Sequence, residues 1–228
     1  MPDIKKYLNR PLKAREAAIV LLIAAALAGG GYASYKFAAA KVLESKVNAA
    51  MPGVCAEIRK QQETIIKAVE AYQSAFGFYP PDNVTNRNPL TVDAVNNPLL
   101  YEIAGVVYNP TNQIFELAGL EAAEAKFVKE FFHCTGFKNS GESAGQVKRF
   151  LPAGNLPARQ LHDDPDVFAV GYQIPTDGVS PEIMWEFDIS PWRYVSSAPT
   201  NNVGRFDLWI EVKTKAQAVT IGNWKAVE

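Results

Sequence analysis

Histidine and cysteine are nearly missing from this chain, with 2 of each in 228 residues. Neither histidine is followed by a second ligand pair at zinc spacing, so His133, beside Cys134, reads as an ordinary residue at a helix end. Net charge is missing too: 23 Lys and Arg stand against 24 Asp and Glu, giving −1. No basic stripe interleaved with aromatics breaks that balance, which excludes nucleic acid as a partner. The chain also has no internal repeat, no glycine-rich phosphate loop, no serine elbow and no dinucleotide fingerprint. It therefore reads as no enzyme and as needing no cofactor. With 48% apolar residues it still has material for a real core.

The most local absence is charge between residues 17 and 35. The run AAIVLLIAAALAGGGYASY holds nineteen residues without a charge. As a helix it would be about 28 Å long, enough to cross a bilayer. Within residues 1–15, Lys5, Lys6, Arg10, Lys13 and Arg15 face the single acid Asp3. That bias predicts residues 1–16 as a cytoplasmic basic N-terminus, 17–35 as a transmembrane segment and the remainder outside the cytoplasm. A cleavable secretory signal is the competing reading, with FAAAK as the cleavage-like site. The length of the run and the helical pattern continuing past it oppose that reading. Gly29 and Ala33 form a small-xxx-small step suited to close helix contact in lipid, or belong to a tolerated low-complexity run.

Residues 36–77 continue the long helix, with a kink or short break expected at MPG, residues 51–53. Beyond it Val54, Ile58, Ile65, Val69, Tyr72 and Phe76 fall on one face, while charged residues mostly take the others. Gly77 suits a left-handed helix end, and Pro80 with Pro81 prevents a restart. Phe78 and Tyr79 are expected to fold back onto the face of Tyr72 and Phe76. Residues 78–228 make the globular part.

Within it, helices are expected around 92–102 and 120–132, then a long loop from 139 to 168. FAVGYQI, EIMWEFDI, RYVSS, RFDLWIEVK and AVTIGNW read as strands. Phe206, Leu208, Ile210 and Val212 alternate with Asp207, Trp209, Glu211 and Lys213, which predicts a sheet with one buried face. Cys55 and Cys134 are either a disulfide or two free buried thiols. The loop HDDPD offers Asp163, Asp164 and Asp166 as candidate calcium ligands, although turn-forming aspartates are the commoner explanation.

VEAYQSAFGFYP, with Val69, Tyr72, Gly77, Tyr79 and Pro80, resembles the pattern leucine-x-x-tyrosine-x4-glycine-x-tyrosine-proline that closes the long helix of type IV pilin-like proteins. WRYVSSAPTNNVGRFDLWIEV followed by VTIGNW is similar to the C-terminal strand pair and closing tryptophan of major pseudopilins in type II secretion. The resemblance implies an α+β fold, a long N-terminal transmembrane helix packed on an antiparallel β-sheet. It further implies a structural subunit of a secretion or filament apparatus in the bacterial inner membrane, single-pass, with its C-terminal domain periplasmic or extracellular. Its partners would be membrane lipid and other pilin-like or envelope proteins, in a homo-oligomer or hetero-oligomer.

Two family features are not in the sequence. The glycine-phenylalanine processing point is absent, and Glu16 is the only acid near the span, serving either subunit charge pairing or a helix N-terminus. The loop KTKAQA, residues 213–218, holds no carboxylate for calcium. These departures leave a second reading open, an uncleaved, membrane-tethered accessory subunit of another envelope complex. A third, a solute-binding or enzymatic outer domain, rests on HDDPD alone.

Overall fold

A computed structural model describes residues 14–83, 92–117, 122–151, 158–162, 167–171 and 180–224, the side chains of 14–28, 158–162, 167 and 169 excepted. Its first element is a single helix, α1 (Ala14–Phe76), of 63 residues. Pro52 lies inside it, and the expected break is not there. An interior proline costs about 3 kcal/mol. Met51, Val54 and Ile58 around it are only 4%, 1% and 1% exposed, and burying one such side chain contributes roughly 1.5–3 kcal/mol. Packing therefore outweighs the lost helical bond.

The chain forms two compact units, Met1–Ala49 and Ala50–Glu228. In the first, the helix carries Tyr32, Tyr35, Phe37 and Val42 as exposed apolar side chains. Among the described residues no helix is long and apolar enough to cross a membrane. Most of the expected span, and Glu16 with it, lies in the part of α1 whose side chains are outside that description.

In the second unit the expected α1 face is the buried one: Val54, Ile58, Ile65, Val69 and Tyr72 are 0–2% exposed, and Phe76 is half-buried. Gln62 sits on the same side and is a buried polar residue. Its Nε2 donates to the carbonyls of Leu208 and Ile221 at 3.3 and 3.5 Å, across the last two strands.

After α1 come α2 (Leu99–Ala104), β1 (Val106–Asn109), β2 (Ile114–Leu117), β3 (Ala123–Glu124), α3 (Ala125–Phe131) and β4 (Ser140–Gly141). They are followed by β5 (Ala158–His162), β6 (Val167–Val170), α4 (Pro181–Met184), β7 (Asp188–Ile189), β8 (Arg193–Val195), β9 (Asp207–Lys213) and β10 (Ala218–Gly222). One sheet has the order β3-β2-β1-β4, antiparallel except for the short parallel pair β1–β4. The C-terminal sheet places β10 on one edge of β9, while β7 and β8 follow one another along the other, all antiparallel. β5 and β6 form a separate hairpin. The architecture is thus α+β, a long N-terminal helix with mainly antiparallel sheets.

β9 buries one face as its alternation requires, with Phe206, Leu208, Ile210 and Val212 at 0–1% exposure. Other expected elements differ. The first middle helix is displaced to Leu99–Ala104, because Asp93 folds residues 93–96 into a turn, its Oδ1 accepting the N–H groups of Val95 and Asn96. EIMWEFDI is not a strand throughout. Pro181 at the first helical position, after extended Ser180, starts the single turn α4, and only Asp188–Ile189 pair with β9. The β1–β2 hairpin was not expected. Its turn is closed by Asn109 Oδ1, which accepts from Thr111 and Asn112, with Gln113 at φ 53°.

Candidate functional site

The helix exit is where chemistry-bearing side chains converge. Gly77 adopts φ 84° and donates its N–H to the Gln73 carbonyl at 2.7 Å, a left-handed cap on the last turn. Around it the rings of Phe76, Phe78 and Phe150 lie 4.5, 5.9 and 5.5 Å from that of Tyr72. Phe78 thus folds back as expected. Tyr79 does not: its ring turns to Phe206, 5.2 Å away, beside β9. Consecutive residues after the cap project to opposite sides, so one braces the helix and the other the sheet.

Pro80 is buried, and its carbonyl accepts two hydroxyl bonds, from Tyr194 Oη at 2.9 Å and Ser196 Oγ at 2.8 Å. Asp82 Oδ2 then takes the N–H groups of Ser196 and Ser197, both at 2.7 Å, and the Ser197 hydroxyl at 2.9 Å. The exit segment is fastened to β8 and the loop after it.

Below the exit lies a buried carboxylate, Glu102, 1% exposed on α2. Tyr72 Oη donates to its Oε2 at 2.8 Å, as does Asn139 N at 3.0 Å, and Lys138 N donates to Oε1 at 2.9 Å. Burial raises the Glu102 carboxyl above the usual carboxylate range, and these donors oppose that rise. Asn139 completes the cluster. Its Nδ2 donates to the carbonyls of Glu102 and Lys148 at 2.7 and 2.6 Å, and its Oδ1 accepts from Lys148 N at 2.9 Å. Burial, then the charge of Glu102, pushes the Tyr72 phenol far up, so it remains a neutral donor.

A second buried carboxylate organises the loop before β9. Asp207 accepts the N–H groups of Thr200, Asn201 and Asn202 at 2.8, 2.9 and 2.8 Å. Burial raises its carboxyl, but the sum of these bonds outweighs burial and holds it below the usual value. Asn223 seals the same corner, taking Leu208 N on Oδ1 and giving Nδ2 to the Phe206 carbonyl. Arg205, in this loop, forms an ion pair with Glu70 of α1.

Chemically, this arrangement fixes rather than reacts. Both buried carboxylates accept N–H and O–H donors from the segments around them and so hold those segments in place. Among the described residues no three His, Cys, Asp or Glu side chains group as a metal site. Asp163, Asp164 and Asp166 lie outside the described residues. The turn between β9 and β10 closes on itself, Thr214 Oγ1 accepting from Ala216 N and Gln217 N.

Gly29 and Ala33 are exposed on α1, and a Cβ added to Gly29 would meet nothing within 4 Å. Cys55 and Cys134 are not joined; both are free, half-buried thiols, raised by burial. Cys55 borders the buried face of α1, whereas the backbone N–H of Cys134 is tied to the Lys129 carbonyl in the cap of α3. His133 is the left-handed residue of that cap, at φ 50°.

Tyr72, Gly77, Tyr79 and Pro80 therefore meet in one corner. Glu102, Asn139, Asp82, Asp207 and Asn223 were missed by sequence reasoning. Glu102 alone carried a signal, as the single acid of LLYEIA. In comparisons with family models, with curated proteins and with solved structures, no match to this chain is found.

Proposed function

We propose that this chain is a structural, membrane-anchored subunit of pilin-like build, serving a secretion or filament apparatus of the cell envelope. The observation that carries the reading is the helix exit. Tyr72, Gly77, Tyr79 and Pro80 each have a separate mechanical task there: buried donor, left-handed cap, brace on Phe206, and double acceptor for Tyr194 and Ser196. A corner fastened this way transmits force between a long helix and the C-terminal sheet, which suits a subunit that is pulled or stacked. Residues 17–35 would anchor it, and Gly29 with Ala33 would permit close approach of a neighbouring helix. Glu16 would stand at the cytoplasmic end of the span.

The test is cysteine scanning of residues 26–34 in a Cys55→Ser, Cys134→Ser background, in native membranes. Oxidative cross-links between copies that peak at 29 and 33 and fade on the opposite side are expected. Release of the chain by an alkaline carbonate wash, with no cross-link at any position, would refute the reading. Intact mass of the extracted protein then separates a shortened, N-methylated filament subunit from a permanent accessory anchor.

A further inference from the structure

Lys36, Lys41 and Lys46 follow one another at intervals of five, and Glu44 is the only acid between residues 32 and 46. On a helix of 3.6 residues per turn, five residues advance the side chain by roughly 140° around the axis. The three ammonium groups are therefore distributed to all sides. The aromatics are distributed likewise. Tyr32, Tyr35 and Phe37 are 63%, 71% and 65% exposed, with Tyr35 about 60° to one side of Tyr32 and Phe37 about 140° to the other. Lys36 Nζ lies 5.3 Å from the Tyr32 ring centroid, and Lys41 Nζ 5.1 Å from that of Phe37. In each pair the lysine reaches back one turn, towards residue 28 and the apolar run.

A protein partner takes one face of a helix. Rings and ammonium groups set all round have a different counterpart, one that surrounds the helix: the headgroup layer of a bilayer, where aromatic side chains concentrate and lysine stems reach for phosphate. Three lysines against one glutamate make that layer's favoured component anionic. We propose that residues 32–46 form a collar that seats in the headgroup layer and selects anionic phospholipid around the subunit. The inference rests on reading residues 17–35 as the membrane anchor.

The geometry also ranks the lysines. Successive ones are about 7.5 Å further along the helix, close to the screening length of about 8 Å at physiological salt. Lys36 contributes most, Lys41 less, Lys46 least.

The full chain is reconstituted into vesicles of equal parts phosphatidylcholine and phosphatidylglycerol, washed with carbonate and extracted in mild detergent. The lipid retained on it is then measured by mass spectrometry. Phosphatidylglycerol should be enriched over the bulk ratio, by about fivefold for a lysine at the surface. K36Q should lose most of that enrichment, K46Q little, and K36Q/K41Q/K46Q all of it. A wild-type ratio equal to the bulk, or equal losses in the three single variants, would overturn the collar while the anchor stands. A chain that washes off both these vesicles and pure phosphatidylcholine ones would overturn the anchor itself, and the collar with it.

Discussion

Tyr72 holds the helix exit through one oxygen and one ring, and the two contributions separate. Tyr72→Phe retains the tilted ring contacts with Phe76 and Phe150 but removes the donor to Glu102. Urea unfolding should show a loss of about 1–2 kcal/mol. Glu102→Ala strands the Tyr72 hydroxyl and the N–H groups of Lys138 and Asn139 together, so its loss should be at least twice as large. Asp207 has a pH signature. Its folded pKa is depressed, so its stabilisation is complete above the ordinary aspartate value of about 3.9 and is lost as pH falls through the folded pKa. Melting temperature should therefore fall more steeply below about pH 4 in the wild type than in Asp207→Asn. Glu102 works with the opposite sign. Its raised pKa favours the fold below the ordinary glutamate value, and that contribution is lost as pH rises through the folded pKa.

Among elements, the helix caps at Gly77 and His133 give paired expectations. Gly77→Ala meets no atom within 4 Å, so its cost is backbone strain alone, about 1–2 kcal/mol. His133 pays that strain already. Its N–H bonds Glu130 O and the next N–H, of Cys134, bonds Lys129 O, the full cap of α3. His133→Gly should accordingly raise the thermal midpoint, by about 1 kcal/mol of stability. The first cap was legible in the sequence because glycine and two prolines punctuate a strong apolar periodicity. The second was not, since nothing in FFHCTG marks histidine as left-handed. α4 was misread because four residues of helix leave no periodicity to detect. Glu102, Asp82 and Asp207 were illegible as a corner, because their donors are mostly backbone N–H groups, which side-chain identity does not encode. Tyr72 and Glu102 stand 30 residues apart, and Asp82 and Ser196 114.

At the scale of the whole molecule, the division at Ala49 and Ala50 has a direct test. The helix face from Met51 to Tyr72, the sheets and both carboxylate clusters all lie in the second unit. A chain of residues 50–228 should keep a single cooperative melt by circular dichroism. A broad, non-cooperative melt would mean that the first 49 residues are needed for folding. The bonds from Gln62 carry one more consequence. Its partners Leu208 and Ile221 are 146 and 159 residues downstream, and a ribosome adding 5–20 residues per second reaches the later one roughly 8–30 s after it. Throughout that interval Gln62 lacks at least one of its two carbonyl partners. The side of the helix around Gln62 therefore stays open to a holding chaperone while β9 and β10 are still being made.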